Sequence, residues 1–236
     1  TLILVGTVTV ISFILGVGLY GLTYVYPQYL ATVRGMNSLQ IGETLFVTGV
    51  FMFMTAPISG ILSRRIDPRL MLVGGLVLFA SGTWLASDVT ADWDFWELFV
   101  PQFCRGVGLM FCMVPITNLA LGTLPPATIK NASGLFNLTR NLGGAVGLAI
   151  IATVFTDRSD FHVERLSESV SWGREPATQY MESLERAMAP LGSDAHTAAL
   201  QQLSLIVRQQ ATVMSFGDLF WLLTIMFALT ACAVVF

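Results

Sequence analysis

The sequence predicts an all-α membrane protein, a bundle of six transmembrane helices. Hydrophobic residues make up 54% of the chain and charged residues only 11%, and the mean hydropathy is +0.71. Soluble domains carry about 25% charged residues, so this composition argues against a globule exposed to water. The apolar residues are gathered into six runs that approach or exceed the roughly 20 residues a helix needs to cross a bilayer. The strands of a membrane barrel would be only about 10 residues long and would alternate in hydropathy, which these runs do not.

The six predicted helices follow one another with short connections, except for the last. They cover residues 2–26, 41–62, 70–86, 95–121, 131–155 and 215–236. The first is expected to end at Pro27, and Pro57 is expected to kink the second near its end. This pattern divides the chain into five transmembrane helices in residues 1–156, a polar segment in 157–213 and a last transmembrane helix in 214–236.

The polar segment 157–213 is predicted to contain one or two amphipathic helices, because its apolar residues recur at helical spacing. The spaced residues are Tyr180, Met181, Leu184 and Met188, followed by Leu200, Leu203, Ile206 and Val207. The second amphipathic helix could run straight into the last transmembrane helix. His162 and His196 also lie in this segment, and we expect both of them to be solvated.

Basic residues in the short loops predict the orientation in the membrane, since cytoplasmic loops carry an excess of lysine and arginine. On the opposite side of the bundle, Arg34 is the single basic residue of the two short loops. The loops after the second and fourth predicted helices are therefore expected to be cytoplasmic, and the segment 157–213 periplasmic. The basic residues of the cytoplasmic loops are Arg64, Arg65, Arg69 and Lys130.

Charge and cysteine content exclude several classes of function. The net charge of −3 gives no electrostatic basis for binding nucleic acid. All three cysteines fall inside apolar runs without the spacing of metal ligands, so neither disulfides nor a metal site is expected. The chain starts without Met inside one apolar run and stops inside another, so we expect it to be a fragment of a longer protein.

Two arginines lie inside predicted transmembrane helices, Arg105 in the fourth and Arg140 in the fifth. An arginine at this depth costs several kcal/mol unless it faces protein, water or a partner. Polar residues at steps of three and four form one stripe on the fifth helix. The stripe consists of Ser133, Asn137, Arg140, Asn141 and Gly144. A gating role and a structural role, in which the guanidinium bonds helix-end carbonyls, are both open for these arginines.

Candidate substrate contacts lie on two other predicted helices. Tyr20, Thr23 and Tyr24 share one face of the first helix, and their rings and hydroxyls suit an amphipathic ligand. For Tyr24, the alternative is a place in the aromatic belt at the membrane surface. The fourth helix has a second, softer face, for which simple core packing is the alternative. That face consists of Met113, Thr117 and Asn118.

Acidic residues are sparse within the predicted helices. Glu43, Glu97 and Asp218 each lie near the outer end of a helix in the predicted orientation. A carboxylate that couples transport to protons would lie deeper and face a cavity. We therefore expect the main proton site to lie outside this chain.

The loop after the second predicted helix resembles the cytoplasmic loop motif of the major facilitator superfamily. It runs Gly60-Ile-Leu-Ser-Arg64-Arg65-Ile-Asp67-Pro-Arg69. Gly60, Arg65 and Arg69 match the motif, whereas Arg64 replaces its acid and Asp67 replaces its second glycine. The resemblance implies the weaker copy of the motif that is found in a carboxy-terminal half, without the usual charge relay.

A more specific resemblance begins in the fourth predicted helix. The matching segments are Pro101-Gln-Phe103, Met113-Val-Pro-Ile-Thr117, Leu124-Pro-Pro126, Asn131-Ala-Ser133 and Asn137-Leu-Thr-Arg140-Asn-Leu-Gly143-Gly144. They are similar to the end of fourteen-helix drug:proton antiporters of the EmrB/QacA type, as is the long outer loop before a final helix. The resemblance covers essentially the whole chain and is most specific in residues 115–147.

This resemblance implies that the chain is the carboxy-terminal half of a major facilitator fold, without its amino-terminal bundle and two linker helices. The first and fourth helices would line a substrate cavity, and the second and fifth would form the seam with the missing half. A smooth glycine surface on the fifth helix would lie at that seam. Its residues are Gly143, Gly144 and Gly147.

The function that the resemblance implies is proton-coupled export of toxic amphipathic compounds across a bacterial inner membrane. Alternating access would drive it, with the proton gradient as the energy source and no cofactor. The implied partners are small amphipathic substrates, membrane lipid and the missing half of the protein. A periplasmic adaptor and an outer-membrane channel would join them in a Gram-negative cell.

Three other functions remain as alternatives. The first is export of another solute, such as a siderophore or a fatty acid, by the same fold. The second is a membrane-embedded enzyme, which lacks support because no histidine lies in any predicted transmembrane helix and no paired acids occur there. The third is a self-sufficient six-helix scaffold or channel.

Overall fold

The fold was obtained as a computed structural model, which describes residues 2–121, 126–170 and 175–235. The helices are α1 (Leu2–Thr32), α2 (Ser38–Leu62), α3 (Pro68–Ser87), α4 (Phe95–Leu121), α5 (Pro126–Ser169), α6 (Glu175–Met188) and α7 (Ala195–Val235), with a short 3-10 helix at Ala189–Asp194. None of the residues in the described ranges forms a strand. All of these α-helices except α6 are long and apolar enough to cross a membrane. The predicted all-α bundle of six transmembrane helices is confirmed.

The first helix is longer than the sequence suggested, because α1 passes through Pro27 and ends at Thr32. Proline is tolerated inside a membrane helix when neighbouring helices hold the turns on either side. Tyr29 and Leu30 are fully buried beyond the proline. The Tyr29 hydroxyl also donates a hydrogen bond to the carbonyl of Thr90 at 2.6 Å, in the loop between α3 and α4. Tertiary packing of the residues after Pro27 therefore keeps α1 helical at a position where the proline could have ended it.

The polar segment 157–213 is largely a continuation of the two transmembrane helices that flank it. At 1.5 Å per residue, the 44 residues of α5 span about 66 Å and the 41 residues of α7 about 62 Å, roughly twice the hydrocarbon thickness of a bilayer. The sequence placed the end of the fifth helix at residue 155 because charged residues begin at Asp157. Charge ends the apolar span but does not end a helix in water. Beyond the membrane, α6 packs against α7.

The core of the bundle is rich in aromatic and leucine side chains contributed by α1, α3 and α7. Packed pairs are α1 with α5, α2 with α4, α3 with α4 and α7, and α5 with α7. The Tyr26 and Phe220 rings lie 4.9 Å apart, and those of Phe79 and Phe227 lie 4.5 Å apart. All four side chains are at most 1% exposed. Because α2 and α5 lie outside this centre, each keeps an apolar face that the chain does not cover.

On the outer side, two loops are joined by an ion pair. Arg34, between α1 and α2, donates to Asp94 Oδ1 at 2.5 Å and to the carbonyl of Ala91 at 3.0 Å. The hydrogen bond with Asp94 raises the pKa of Arg34 above its ordinary value. Arg34 therefore remains a cation at any physiological pH and anchors the outer end of α1 to the loop before α4.

Candidate functional site

The outward face of α1 carries polar aromatic residues at the depth of the membrane. Tyr20 and Tyr24 are 39% and 45% exposed, and Thr23 between them is also exposed. The opposite face, with Leu22, is completely buried. The α1 polar face, defined by Tyr20, Thr23 and Tyr24, is therefore a surface that the described chain leaves open. Rings with hydroxyl groups at such a surface can both stack on a ligand and hydrogen-bond to it.

Two of these three residues are held in place by neighbouring helices. The Tyr20 hydroxyl donates to Asn141 Oδ1 of α5 at 2.8 Å. Thr23 Oγ1 donates to the carbonyl of Leu19 at 2.6 Å and accepts from Arg105 Nη2 of α4 at 2.9 Å. The hydroxyl of Tyr24 makes no hydrogen bond to any residue that the structure describes. The α1 polar face thus combines two hydroxyls that neighbouring residues hold in place with the Tyr24 hydroxyl, which remains available to donate or accept a hydrogen bond.

Beneath Thr23 lies a buried group of polar side chains, the Arg105 cluster, made of Thr48, Gln102 and Arg105 with Tyr26. Arg105 is 7% exposed, and its Nη1 contacts Gln102 Oε1 at 3.4 Å. Gln102 Oε1 also accepts a hydrogen bond from Thr48 of α2. The Arg105 guanidinium lies 5.5 Å from the centre of the Tyr26 ring. Three helices therefore meet around one buried cation.

Several polar atoms of the Arg105 cluster have no partner among the described residues. They are Arg105 Nε, Gln102 Nε2 and the Tyr26 hydroxyl. Unsatisfied polar groups inside a membrane protein are costly and mark places where water, ions or a moving partner act. The salt bridges of the described chain include none to Arg105. The Arg105 cluster is therefore charged and buried, and some of its polar atoms lack hydrogen-bond partners.

Arg140 on α5 is a second membrane cation without an acidic partner in the described part of the chain. It is half-buried, with its guanidinium 4.6 Å from the centre of the Phe136 ring. Its Nε and Nη2 atoms make no hydrogen bonds there. Asn137 and Asn141 on the same stripe are exposed, and Asn141 bonds Tyr20. The stripe therefore borders the α1 polar face.

The two arginines lie at different depths. Arg105 bonds Thr23, whereas the backbone of Arg140 contacts α1 at Gly16, seven residues nearer the inner end. Seven residues of helix correspond to about 10 Å. In the predicted orientation, the α1 polar face between them is therefore flanked by one cation toward the outer side and one toward the cytoplasm.

The glycines of α5 allow another helix to pack closely, as predicted, but that helix is α1 of the same bundle, so their predicted place at the seam is wrong. Gly143, Gly144 and Gly147 are buried against α1 of the same bundle. A Cβ on Gly143 would lie 2.1 Å from the carbonyl oxygen of Phe13, and one on Gly144 would lie 2.2 Å from the Tyr20 ring. The missing side chains let α1 approach closely enough for Tyr20 to reach Asn141.

The structure separates Met113, Thr117 and Asn118 from the α1 polar face, although the sequence suggested that both line one cavity. Asn118 Nδ2 donates to Ser63 Oγ at 3.3 Å, at the inner end of α2. Asn118 is 13 residues from Arg105 along α4, or about 20 Å. Thr117 donates to the backbone carbonyl of Met113 at 2.7 Å, and Met113 packs against the core. Asn118 therefore connects α4 to the end of α2, whereas Thr117 bonds within its own helix and Met113 packs in the core.

The cytoplasmic loop residues are exposed. Arg65 and Arg69 form no ion pair within the described chain, and there is open space around Gly60. Asp67 caps α3, because its Oδ1 accepts a hydrogen bond from the backbone N–H of Arg69 at 2.9 Å and Pro68 occupies the first helical turn. Asp67, at the second-glycine position of the motif, thus has a local structural role.

Sequence reasoning missed a group at the outer end of α5 and α7. His162 was expected to be solvated, but it is 7% exposed and its Nε2 lies 2.6 Å from Asp218 Oδ2. Arg158 Nε donates to the same oxygen at 2.6 Å. The signal was the spacing of Arg158 and His162, four residues apart and therefore on one helix face. His196 is exposed as expected, with its Nδ1 2.5 Å from Glu185 Oε1.

Comparison with known proteins places these features in a family. A model described as "Major Facilitator Superfamily" matches residues 2–163. The chain is 37% identical over 225 residues to the "Colistin resistance protein EmrB" of Acinetobacter baumannii, covering 95% of this chain and 44% of that protein. It is 28% identical over 204 residues to the "Multidrug export protein EmrB" of Escherichia coli K12, covering 86% and 39%.

The name of a third relative indicates a different substrate. The "Fatty acid resistance protein FarB" of Neisseria gonorrhoeae is 27% identical over 226 residues, covering 94% of this chain and 43% of that protein. The chain therefore spans less than half the length of each of these curated relatives.

Proposed function

Because this chain belongs to the major facilitator superfamily, we propose that it is the carboxy-terminal bundle of a proton-driven multidrug exporter. It is a multi-pass protein of the bacterial inner membrane. The complete exporter carries toxic amphipathic compounds outward by alternating access, rocking this bundle against an amino-terminal one around a shared site. The function is transport without chemical change of the substrate, and the proton gradient supplies the energy.

The α1 polar face is the observation that carries this proposal. Tyr20, Thr23 and Tyr24 are exposed at membrane depth, where lipid contact would leave the Tyr24 hydroxyl without a hydrogen-bond partner. A water-filled cavity between two bundles removes that cost. Aromatic rings that also carry hydroxyls suit substrates with both an apolar body and a polar group, which is the amphipathic class.

The uncompensated arginines support coupling to protons through an acid outside this chain. Neither Arg105 nor Arg140 pairs with a carboxylate among the described residues. A carboxylate on the amino-terminal bundle would be attracted to these cations when ionised and released when protonated. Proton binding would in this way change the contact between the two bundles, which is the step that alternating access needs.

The partner surfaces follow from the same arrangement. The uncovered apolar faces of α2 and α5 would form the seam with the amino-terminal bundle and with lipid. Their exposed residues include Phe46, Phe53 and Ile61 on α2 and Leu135, Leu138 and Leu142 on α5. A periplasmic adaptor leading to an outer-membrane channel would contact the outer extensions of α5 and α7.

Replacing Arg140 tests the proposal. Arg140→Met in the full-length protein should abolish proton-driven dye efflux from inverted vesicles, because the side chain keeps its bulk but loses its charge. Arg140→Lys should restore only part of the rate, since an ammonium lacks the planar fork of a guanidinium. Arg165→Met, at an exposed arginine beyond the apolar part of the same helix, is the matched control. Wild-type efflux by Arg140→Met at an unchanged membrane level would contradict the proposal.

A fatty-acid exporter is the second candidate, and one observation favours it. Arg140, a half-buried cation without an acidic partner among the described residues, borders the α1 polar face, and a carboxylate head group would pair with it. The relative from Neisseria gonorrhoeae is named for fatty acid resistance. Expression in a sensitive strain separates the candidates: protection against cationic dyes supports multidrug export, and protection confined to long-chain fatty acids supports the second.

A further inference from the structure

Beyond the predicted membrane surface, α5, α6 and α7 enclose a cavity of about 320 Å³. Its lining includes Met181, Leu203 and Val207, together with Ser167, Ser204 and the exposed Arg208. Pockets that bind small molecules have volumes of about 300–1,000 Å³, so this one suits a ligand at the small end of that range.

The cavity is separate from the α1 polar face. α1 contacts α5 at Gly21 and Ile151, and Val163 of the cavity lies 12 residues further along α5. That separation is about 18 Å along the helix axis. Val163 also lies eight residues beyond the end of the apolar run at residue 155, about 12 Å outside the membrane. A ligand bound there has left both the transport route and the bilayer.

The walls of the cavity are apolar in a part of the chain that water surrounds. α6 buries Met181 against its neighbours, leaving it 5% exposed. Leu200 on α7, which also lines the cavity, remains 40% exposed. The helix packing thus buries the apolar surface around Met181 and leaves the surface around Leu200 accessible to a ligand.

Arg208 distinguishes the cavity electrostatically. It is the only charged residue among those that line the cavity. Three other arginines of the outer region have acidic partners: Arg34 pairs with Asp94, Arg158 with Asp218 and Arg165 with Glu168. Arg208 is exposed and pairs with no acid that the structure describes. An apolar slot with one unpaired cation at its edge is complementary to an amphipathic anion.

We propose that this cavity binds a free single-chain amphipathic anion, with its carboxylate on Arg208 and its hydrocarbon chain against Met181, Leu203 and Val207. Ser167 supplies a further hydrogen-bond donor to the head group. A phospholipid would have to leave the bilayer completely to reach the cavity, which favours a free fatty-acid-like molecule. The proposal does not depend on what the protein transports.

Photolabelling tests the proposal directly. Decanoate that carries a diazirine at its chain end is added to the chain in nanodiscs, and the labelled residues are mapped by mass spectrometry. We expect labels on residues lining the cavity, in competition with unlabelled decanoate and equally in phosphatidylglycerol and phosphatidylcholine nanodiscs. Arg208→Gln should reduce labelling there about tenfold, as the loss of one charge-assisted hydrogen bond predicts.

The matched control is Arg186→Gln, because Arg186 is an exposed arginine of α6 that does not line the cavity. Arg186→Gln should label like the unaltered chain. Arg208→Glu should reverse the preference, so that a decylammonium diazirine labels the cavity better than decanoate does. Labels confined to the transmembrane helices, cavity labelling that ignores Arg208, or labelling that depends on anionic lipid would each overturn the proposal.

Discussion

At the scale of single residues, Gly16 decides how closely α1 can approach α5. A Cβ at this position would lie 2.1 Å from the carbonyl oxygen of Arg140 and 3.1 Å from the amide nitrogen of Gly144. Both atoms belong to backbone, which cannot rotate away as a side chain does. Gly16 therefore fixes the contact that brings Tyr20 of α1 to Asn141 of α5.

Gly16→Ala should destabilise the bundle by about 1–3 kcal/mol, the usual cost of forcing an extra carbon into packed structure. Gly134→Ala is the matched control, because Gly134 is also helical and has no atom within 4 Å of an added Cβ. That control should be neutral or slightly stabilising, since alanine favours a helix over glycine. Unfolding midpoints in an SDS titration compare the two variants, and equal midpoints would mean that α1 and α5 are not in this close contact.

The sequence predicted that Arg105 and Arg140 lie inside the membrane, because their positions within apolar runs require it. It did not predict the surroundings of Arg105, since Thr23 and Thr48 lie on other helices, whose rotation relative to α4 no local pattern specifies. His162 was missed for a similar reason. Its neighbour Asp218 is 56 residues away in the chain, and the pair forms only because α5 and α7 extend side by side.

At the scale of helices, the outer ends of α5 and α7 are joined through one carboxylate oxygen. Asp218 Oδ2 lies 2.6 Å from both Arg158 Nε and His162 Nε2. The Arg158 guanidinium also lies 4.9 Å from the centre of the Phe161 ring. This junction is where both helices leave the apolar part of the bundle, so it should hold their extensions together.

Asp218→Asn should loosen the junction, because a neutral amide attracts Arg158 far less and leaves it without a counter-charge. Hydrogen exchange should become faster in residues 157–169 and 208–218 while the helices of the core keep their protection. Asp160→Asn removes an exposed acid from the same helix without touching Asp218 and is the matched control. Unchanged exchange in Asp218→Asn would show that packing alone holds the extensions.

Helix positions were predicted better than helix ends. The fourth helix begins at the predicted Phe95, because Asp92 and Asp94 limit its apolar run on that side. The first, fifth and last helices extend beyond their predicted ends. Hydropathy marks where the membrane stops, whereas a helix stops where capping or packing fails, and only tertiary structure reveals the latter.

At the scale of the whole molecule, the orientation in the membrane has a direct test. Single cysteines are placed at Ile66, in the loop after α2, and at Ser183 on α6, in a full-length protein without other cysteines; both positions are exposed. Because basic loops are expected to face the cytoplasm, an impermeant thiol reagent should label Ser183→Cys in intact spheroplasts. It should label Ile66→Cys only after lysis. Labelling of Ile66→Cys in intact spheroplasts would reverse the orientation.

The bundle has a complete core, yet two of its helices expose apolar faces. Phe53 of α2 is 82% exposed and Leu135 of α5 is 58% exposed. Lipid can cover such side chains, so insertion into a membrane does not require a second bundle. Alternating access does require one, because the substrate site is enclosed between two bundles that move against each other.

Residues 1–236 expressed alone should therefore enter the membrane and fold without exporting any substrate. The α1 polar face would be open on one side, and neither Arg105 nor Arg140 would have the acid that couples movement to protons. Co-expression of an amino-terminal bundle should restore part of the export, because the apolar faces of α2 and α5 can pair with it in the bilayer. Dye efflux from proteoliposomes measures both cases under an imposed proton gradient. Proton-driven efflux by the 236-residue chain alone would refute the half-transporter proposal and would require a coupling acid within this chain.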